Sequence, residues 1–262
     1  MLKKLLKYDL LKTISVLPYF YVATIVFAIL TRVVNIWNDR QFMFILGQIF
    51  QGTTIALIVN CLINTIIAIL VRSFRGSFYS DEGYLTHTLP VTKNKLLLSK
   101  LISALIVLTA TILVIVVSLL IVFYSKDLFE IIKQSLNLVE SSLKIDASLL
   151  ILIIVFVVYF QFVSTMLMGF LAIVIGHSYN NGKISKSFLF FAIIYMVASA
   201  LSLIILVLTM LATGNISEFF ATTMKGETLV LILITGLAIY SVYGVILYLI
   251  TNKLFNKGVN LD

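Results

Sequence analysis

The chain has 262 residues and a formal net charge of +8; 61% of its residues are apolar and only 11% are charged. Soluble domains hold about 45–50% apolar and about 25% charged residues, so a water-soluble globule is excluded. A basic balance also suits nucleic-acid binders, but these bases are spread over four separate segments at the ends of apolar runs and form no single patch, which argues against that class.

In residues 1–13, Leu2, Leu5, Leu6 and Leu10 share one side of a helix, with Lys4 and Lys7 opposite. Such a segment can lie in the headgroup plane of a membrane. Asp9 interrupts its apolar side and Leu11 its polar side, so an ordinary basic flank is the alternative. Residues 13–31 then run without a formal charge, as do the longer stretches 41–71, 101–125, 147–182, 187–217 and 228–252. Crossing a ~30 Å hydrocarbon core takes about 20 helical residues, so each run is long enough to span. Continuous apolar runs select helices over a barrel, whose strands alternate over about ten residues. The predicted fold is an all-α polytopic membrane bundle of six transmembrane helices forming a single transmembrane domain over 1–262, with spans at about 14–36, 45–71, 101–124, 147–176, 188–212 and 229–251. The first run is too long for a signal-peptide core, and 32–35 offers no small-residue cleavage pattern, so it reads as a retained span. The single cysteine, Cys61, lies within the second span and has no intramolecular disulfide partner.

Six spans put both termini on one side. The segments on that side hold thirteen Lys or Arg against Asp9, Asp81, Glu82 and Asp262, a net of +9. The opposite segments hold six bases against seven acids, a net of −1. The bias places both termini in the cytoplasm.

On the outer side, Phe129, Ile132, Leu136, Val139 and Leu143 recur at helical spacing, with Glu130, Lys133, Gln134, Asn137, Glu140 and Lys144 on the other faces. An extracellular amphipathic helix over 127–144 is predicted. It can cap the bundle, pair with a second copy or contact cargo. Between the last two spans, Gly214, Asn215 and Ser217 precede Glu218, Phe219 and Phe220, which suggests a short capped helix dipping toward the membrane.

Catalytic constellations are missing from the sequence. His87 and His177 lie in different segments without a partner at metal-ligand spacing, so no metal site is proposed. The stretch from Gly176 to Gly182-Lys183-Ile184 has one residue too many for a phosphate-binding P-loop and lacks the hydroxyl that would hold magnesium. Ion-coupled carriers keep ionisable residues inside the bundle at a cost of about 2.5–3.5 kcal/mol each. The uncharged runs argue instead for energy delivered by another subunit, sodium held by backbone carbonyls, which needs no ionisable side chain, being the alternative. Polar residues within the spans form stripes: Thr53, Asn60 and Asn64 in the second, Gln161, Thr165, Gly169, Ala172 and Gly176 in the fourth, and Gly236, Tyr240, Tyr243, Gly244 and Tyr248 in the sixth. Small and amide residues in such stripes are the usual glue of helix packing in lipid. A substrate path along Thr53, Asn60, Asn64, Gln161 and Thr165 is the alternative.

The segment between spans two and three, 72–100, carries the most information. Ser80 suits an N-cap, Asp81 and Glu82 complement the positive end of a short helix, and Gly83 limits its length. Pro90 breaks the chain, Thr92 can cap the next helix, and Lys100 can snorkel to the interface. A solvated loop has no need of Phe78, Tyr79, Tyr84, Leu85 and Leu89, which suit a docking knob for a partner's groove.

This stretch resembles the permease subunits of ABC-type exporters of the second class (ABC-2 type), which include drug, lantibiotic and toxin-peptide exporters. The resemblance rests on Glu82, Gly83, Leu85, the Leu89-Pro90-Val91-Thr92 turn and Lys100, and extends to length, span number and the basic N-terminal segment. It implies a cytoplasmic coupling segment in which Phe78, Ser80, Asp81, Glu82, Gly83, Tyr84, Leu85, Leu89 and Pro90 dock on a separate ABC ATPase subunit that holds the ATP and Mg, this chain carrying no cofactor of its own. It also implies a second permease copy or paralogue and a bacterial plasma membrane. The outer helix is longer than minimal members of the family have. A permease moving a hydrophobic or amphipathic peptide or drug is the expectation, with no enzymatic site of its own. A non-transporting membrane sensor or anchor in an immunity or signalling complex is the rival, and a membrane-embedded enzyme lacks convergent catalytic residues.

Overall fold

A computed structural model describes residues 2–36, 41–80, 82–123, 126–143, 145–219 and 225–257. All regular structure among them is helical. Among the described residues, six helices are long and apolar enough to cross a membrane: Leu17–Ile36, Phe42–Phe78, Lys93–Phe123, Ala147–Gly176, Lys183–Ala212 and Gly226–Lys257. The chain divides into two units, Met1–Phe129 and Glu130–Asp262.

In the first unit, α1 (Leu2–Ile14) turns at Ser15 and Val16 into α2 (Leu17–Ile36). Pro18 falls in the first turn of α2, where its missing N–H has no helical acceptor to lose. The turn moves the start of the first long helix from the predicted residue 14 to Leu17. Next, α3 (Gln41–Ile67) continues through a π-helical stretch (Ala68–Arg75) into one more α turn, α4 (Gly76–Phe78). A short helix, α5 (Glu82–Thr88), precedes α6 (Lys93–Phe123).

Helices α2, α3 and α6 pack together, and α1 lies against α6 and the π-helical stretch. Hydroxyl groups join the three long helices: Thr31 to Thr54 at 2.8 Å, Tyr21 to Thr111 at 2.7 Å and Thr65 to Thr111 at 3.0 Å. Interhelical hydrogen bonds of this kind hold helices where lipid removes the hydrophobic drive to associate. Helix α6 begins at Lys93, directly after the expected N-cap Thr92, so the helix runs eight residues before the expected membrane span at 101. The Thr92 carbonyl accepts from the N–H groups of Lys95 (2.9 Å) and Leu96 (3.2 Å), so Thr92 stands at the N-cap as expected.

Helix α7 (Lys126–Leu143) crosses the division between the units and covers most of the predicted 127–144. In its apolar stripe, Ile132 is exposed and Leu136 half-buried; the side chains of Phe129, Val139 and Leu143 lie outside the described residues. In the second unit, α8 (Ala147–Gly176) packs between α9 (Lys183–Ala212) and α11 (Gly226–Lys257). Asp146 caps α8, accepting from the Ser148 N–H at 2.9 Å and its hydroxyl at 2.8 Å, and these bonds hold its carboxyl below the usual pKa.

Every residue from Met166 to Val174 is buried. At Gly176 a Cβ would stand 2.1 Å from Ser187 Oγ and 2.6 Å from its Cα, so only glycine permits this crossing of α8 with α9. Helix α9 ends on Gly214, whose φ of 73° allows Asn215 N–H to reach Met210 O and Gly214 N–H to reach Leu211 O. The predicted short helix follows as α10 (Ile216–Phe219), with Asn215 at its N-cap. Glu218 pairs with Lys225 and accepts from Thr228 Oγ1 at 2.6 Å, which ties α10 to the start of α11.

Candidate functional site

The π-helical stretch sets up the site. Its backbone bonds skip one residue further than in an α-helix, as in Gly76 N–H to Val71 O, and such segments often mark functional places. Ser73, Phe74, Ser77 and Phe78 are all buried by this part of the chain. The rings of Phe74 and Phe78 meet edge to face, with centroids 5.2 Å apart.

Around Ser77, charged groups from three other helices converge. Lys100 of α6 is 4% exposed; its ammonium pairs with Asp9 of α1, donates to Ser77 Oγ at 2.8 Å and stands 5.6 Å from the Phe78 ring centroid. Ser99 donates to the other oxygen of Asp9 at 2.6 Å. Lys12 of α1 donates to Ser77 Oγ at 3.2 Å and pairs with Glu82 of α5. The result is a continuous run, Asp9–Lys100–Ser77–Lys12–Glu82, that ties α1, α4, α5 and α6 together. A buried ammonium is tolerated only with such partners, since desolvating a lone ion costs several kcal/mol. Lys100 therefore does not snorkel as expected, because its partners lie inside. Asp9, the misfit in the apolar stripe of α1, is the residue that docks that helix.

The other sequence candidates separate into an inner and an outer set. Phe78 is fully buried and Tyr79 is 8% exposed, so these two aromatics belong to the core of the unit and do not form part of a docking surface. Gly83 is buried in the first turn of α5. It does not limit the helix, which runs on to Thr88 and stops before Pro90, since proline disfavours helical backbone in the residue before it. Ser80 does not cap α5 with its side chain: its hydroxyl donates to Gly76 O, the first carbonyl of α4. Asp81 lies outside the described residues. Tyr84, Leu85 and Leu89 are exposed at 56%, 74% and 42%, and Pro90 is exposed as well.

His87 anchors the inner side of α5. Its Nε2 lies 3.3 Å from Phe78 O and its ring 5.9 Å from the Phe78 ring. Burial holds the imidazole below its usual pKa; the bond to Phe78 opposes that shift and nearby Lys93 adds to it.

The in-span candidates fall in different units. Thr53, Asn60 and Asn64 lie on α3, where each side chain bonds a carbonyl of its own helix, at 2.8, 3.0 and 2.8 Å. Gln161 and Thr165 lie on α8 and line a cavity in the second unit. Among the described residues no three His, Cys, Asp or Glu side chains cluster as metal ligands.

Sequence reasoning missed Asp9, Lys12, Ser77 and Ser99. The only available signal was the misplaced acid in α1. No protein-family model, no curated protein and no solved structure matches this chain.

Proposed function

We propose that this chain is the transmembrane permease subunit of an ATP-driven exporter of the ABC-2 type, moving a hydrophobic or amphipathic peptide or drug across a bacterial plasma membrane. Both termini and α5 face the cytoplasm, and α7 lies outside. A separate ATPase subunit supplies the nucleotide chemistry, and a second permease chain completes the path. One observation carries the reading: α5 exposes Tyr84, Leu85 and Leu89 while its inner face is bonded to α1 through Glu82–Lys12 and to α4 through His87–Phe78, and through Ser77 to α6. A solvated connector would place polar side chains where Tyr84 and Leu85 stand, and apolar anchors ringed by polar groups are what partner grooves take.

The wiring gives the exposed knob a mechanical consequence. A push on α5 reaches α1 through Glu82 and Lys12, and reaches α6 through Ser77 and Lys100. Helix α6 is 31 residues long, so a tilt at its Lys-rich end is carried along its full length.

The test is to look for an adjacent gene encoding an ATPase with a Walker motif and to coexpress its product with this chain. The complex is expected to copurify and to move cargo in proteoliposomes only with ATP, while the purified chain alone neither binds nor hydrolyses ATP. Stoichiometric nucleotide binding by the chain alone overturns the reading. Copurification without ATP-driven transport favours an anchor or sensor instead.

A further inference from the structure

Halfway along α8, α9 and α11 the second unit holds a cavity of about 250 Å³ that is open to the surface, with Gln161, Tyr195 and Ser199 exposed at its mouth and Tyr240 half-buried. Some of its polar lining is satisfied within the protein. Thr165 Oγ1 donates to Gln161 O at 2.8 Å, Ser202 Oγ to Ala198 O at 2.7 Å, and the Tyr243 hydroxyl to the same carbonyl at 3.1 Å. Four other groups line the cavity without such a bond: among the described residues, neither the Gln161 amide nor the hydroxyls of Tyr195, Ser199 and Tyr240 have a hydrogen-bond partner.

That pattern differs from helix-packing glue, in which polar side chains in lipid bond across the helix interface. Polar groups left open at mid-helix are costly in hydrocarbon unless something occupies the space between them. The lining contains no Asp, Glu, Lys, Arg or His, so it offers a charged ligand no counter-ion. Met168, Leu203, Leu206 and Ile239 supply apolar walls. Apolar walls with a few polar groups are the usual composition of a small-molecule site, and drug-sized sites run to roughly 300–1,000 Å³. This one is therefore sized for a single ring system.

We propose that the cavity binds a neutral, ring-sized molecule bearing a hydroxyl or phenol group, with Gln161, Tyr195, Ser199 and Tyr240 taking its polar end and the aliphatic walls its body. This deepens the exporter reading and rests on it only for equating the occupant with cargo. Binding itself is measured on the chain without any ATPase, so either claim can fail alone.

The experiment is photolabelling of the full chain in lipid nanodiscs with 4-hydroxybenzophenone, adducts being mapped by mass spectrometry with and without 4-phenylphenol as competitor. Adducts are expected on the buried wall residues Met168 and Ile239 and should be suppressed by the competitor. Ser199→Phe, which fills the space, should abolish them. Gln161→Leu, which removes one hydrogen-bonding group at an exposed position, should weaken half-maximal labelling about three- to tenfold. Elution of both variants as the wild-type species in size exclusion checks folding; if Ser199→Phe fails it, Gln161→Leu decides. The proposal is overturned if adducts are spread over surface residues such as Phe188 and Met196 without competition. It is overturned equally if Gln161→Leu labels like wild type.

Discussion

Replacing Asp9 by leucine leaves Lys100 as a buried ammonium with Ser77 as its remaining hydrogen-bond partner. Removing one member of a buried ion pair costs about 3–5 kcal/mol, whereas replacing both with apolar groups of similar volume is often neutral. Lys100 is 4% and Asp9 14% exposed, so some water reaches the acid and the lower end of that range, about 3 kcal/mol, applies. At roughly 1.4 kcal/mol per tenfold, the opened form of the first unit should rise about 100-fold. Cys61 provides the assay: it is the only cysteine, it is fully buried in α3, and a maleimide dye reaches it only when α2, α3 and α6 separate. Where closing outpaces labelling, the rate follows the opened population. Asp9→Leu should label about 100-fold faster than wild type, and Asp9→Leu with Lys100→Met should return to within about tenfold of it. Wild-type labelling of the single variant, or faster labelling of the double, refutes the account of the pair.

Two further predictions concern orientation and pH. In a Cys61→Ala background, cysteines at Lys95 and Lys186 should react only from the cytoplasm and one at Ser141 only from outside, as the +9 and −1 split requires; inside labelling at 141 reverses the topology. The folded-state pKa of His87 lies below the usual 6.5, so protonation favours a detached α5. The stabilising contribution of the neutral ring is present above about pH 6.5 and is lost as pH falls through the depressed value. Amide exchange over Leu85–Thr88, corrected for its intrinsic pH dependence, should therefore quicken on going from pH 8 to pH 5, and His87→Gln should remove that change. An equal pH response in the variant contradicts the anchor role of His87.

The long helices were legible because charge-free runs report them directly. The start of α6 was legible from Pro90 and Thr92, whereas the start of α9 was not, since the charges that close an apolar run do not end a helix: Lys183 begins α9, ahead of the expected span at 188. The π-helical stretch at 68–75 has no residue signature, being a shift in hydrogen-bond register. The Asp9–Lys100 pair joins residues 91 positions apart, and local periodicity shows such a pair only as an exception in a stripe. Phe78 and Tyr79 illustrate the converse error. An aromatic in the segment after a span suggests a partner-facing position, but the place of Phe78 in the core depends on Lys100 of α6 lying over its ring, which no local pattern reveals.

The exposed face of α5 is the part of the account on which function depends, and Tyr84→Ala with Leu85→Ala tests it most directly. Both side chains are exposed, so membrane insertion and Cys61 protection should stay as in wild type. Truncating an interface anchor costs about 2 kcal/mol or more, so the variant should bind the proposed ATPase partner at least about tenfold more weakly, or leave its hydrolysis uncoupled from transport in proteoliposomes. Wild-type ATPase retention together with wild-type transport would contradict the assignment of α5 as the coupling surface.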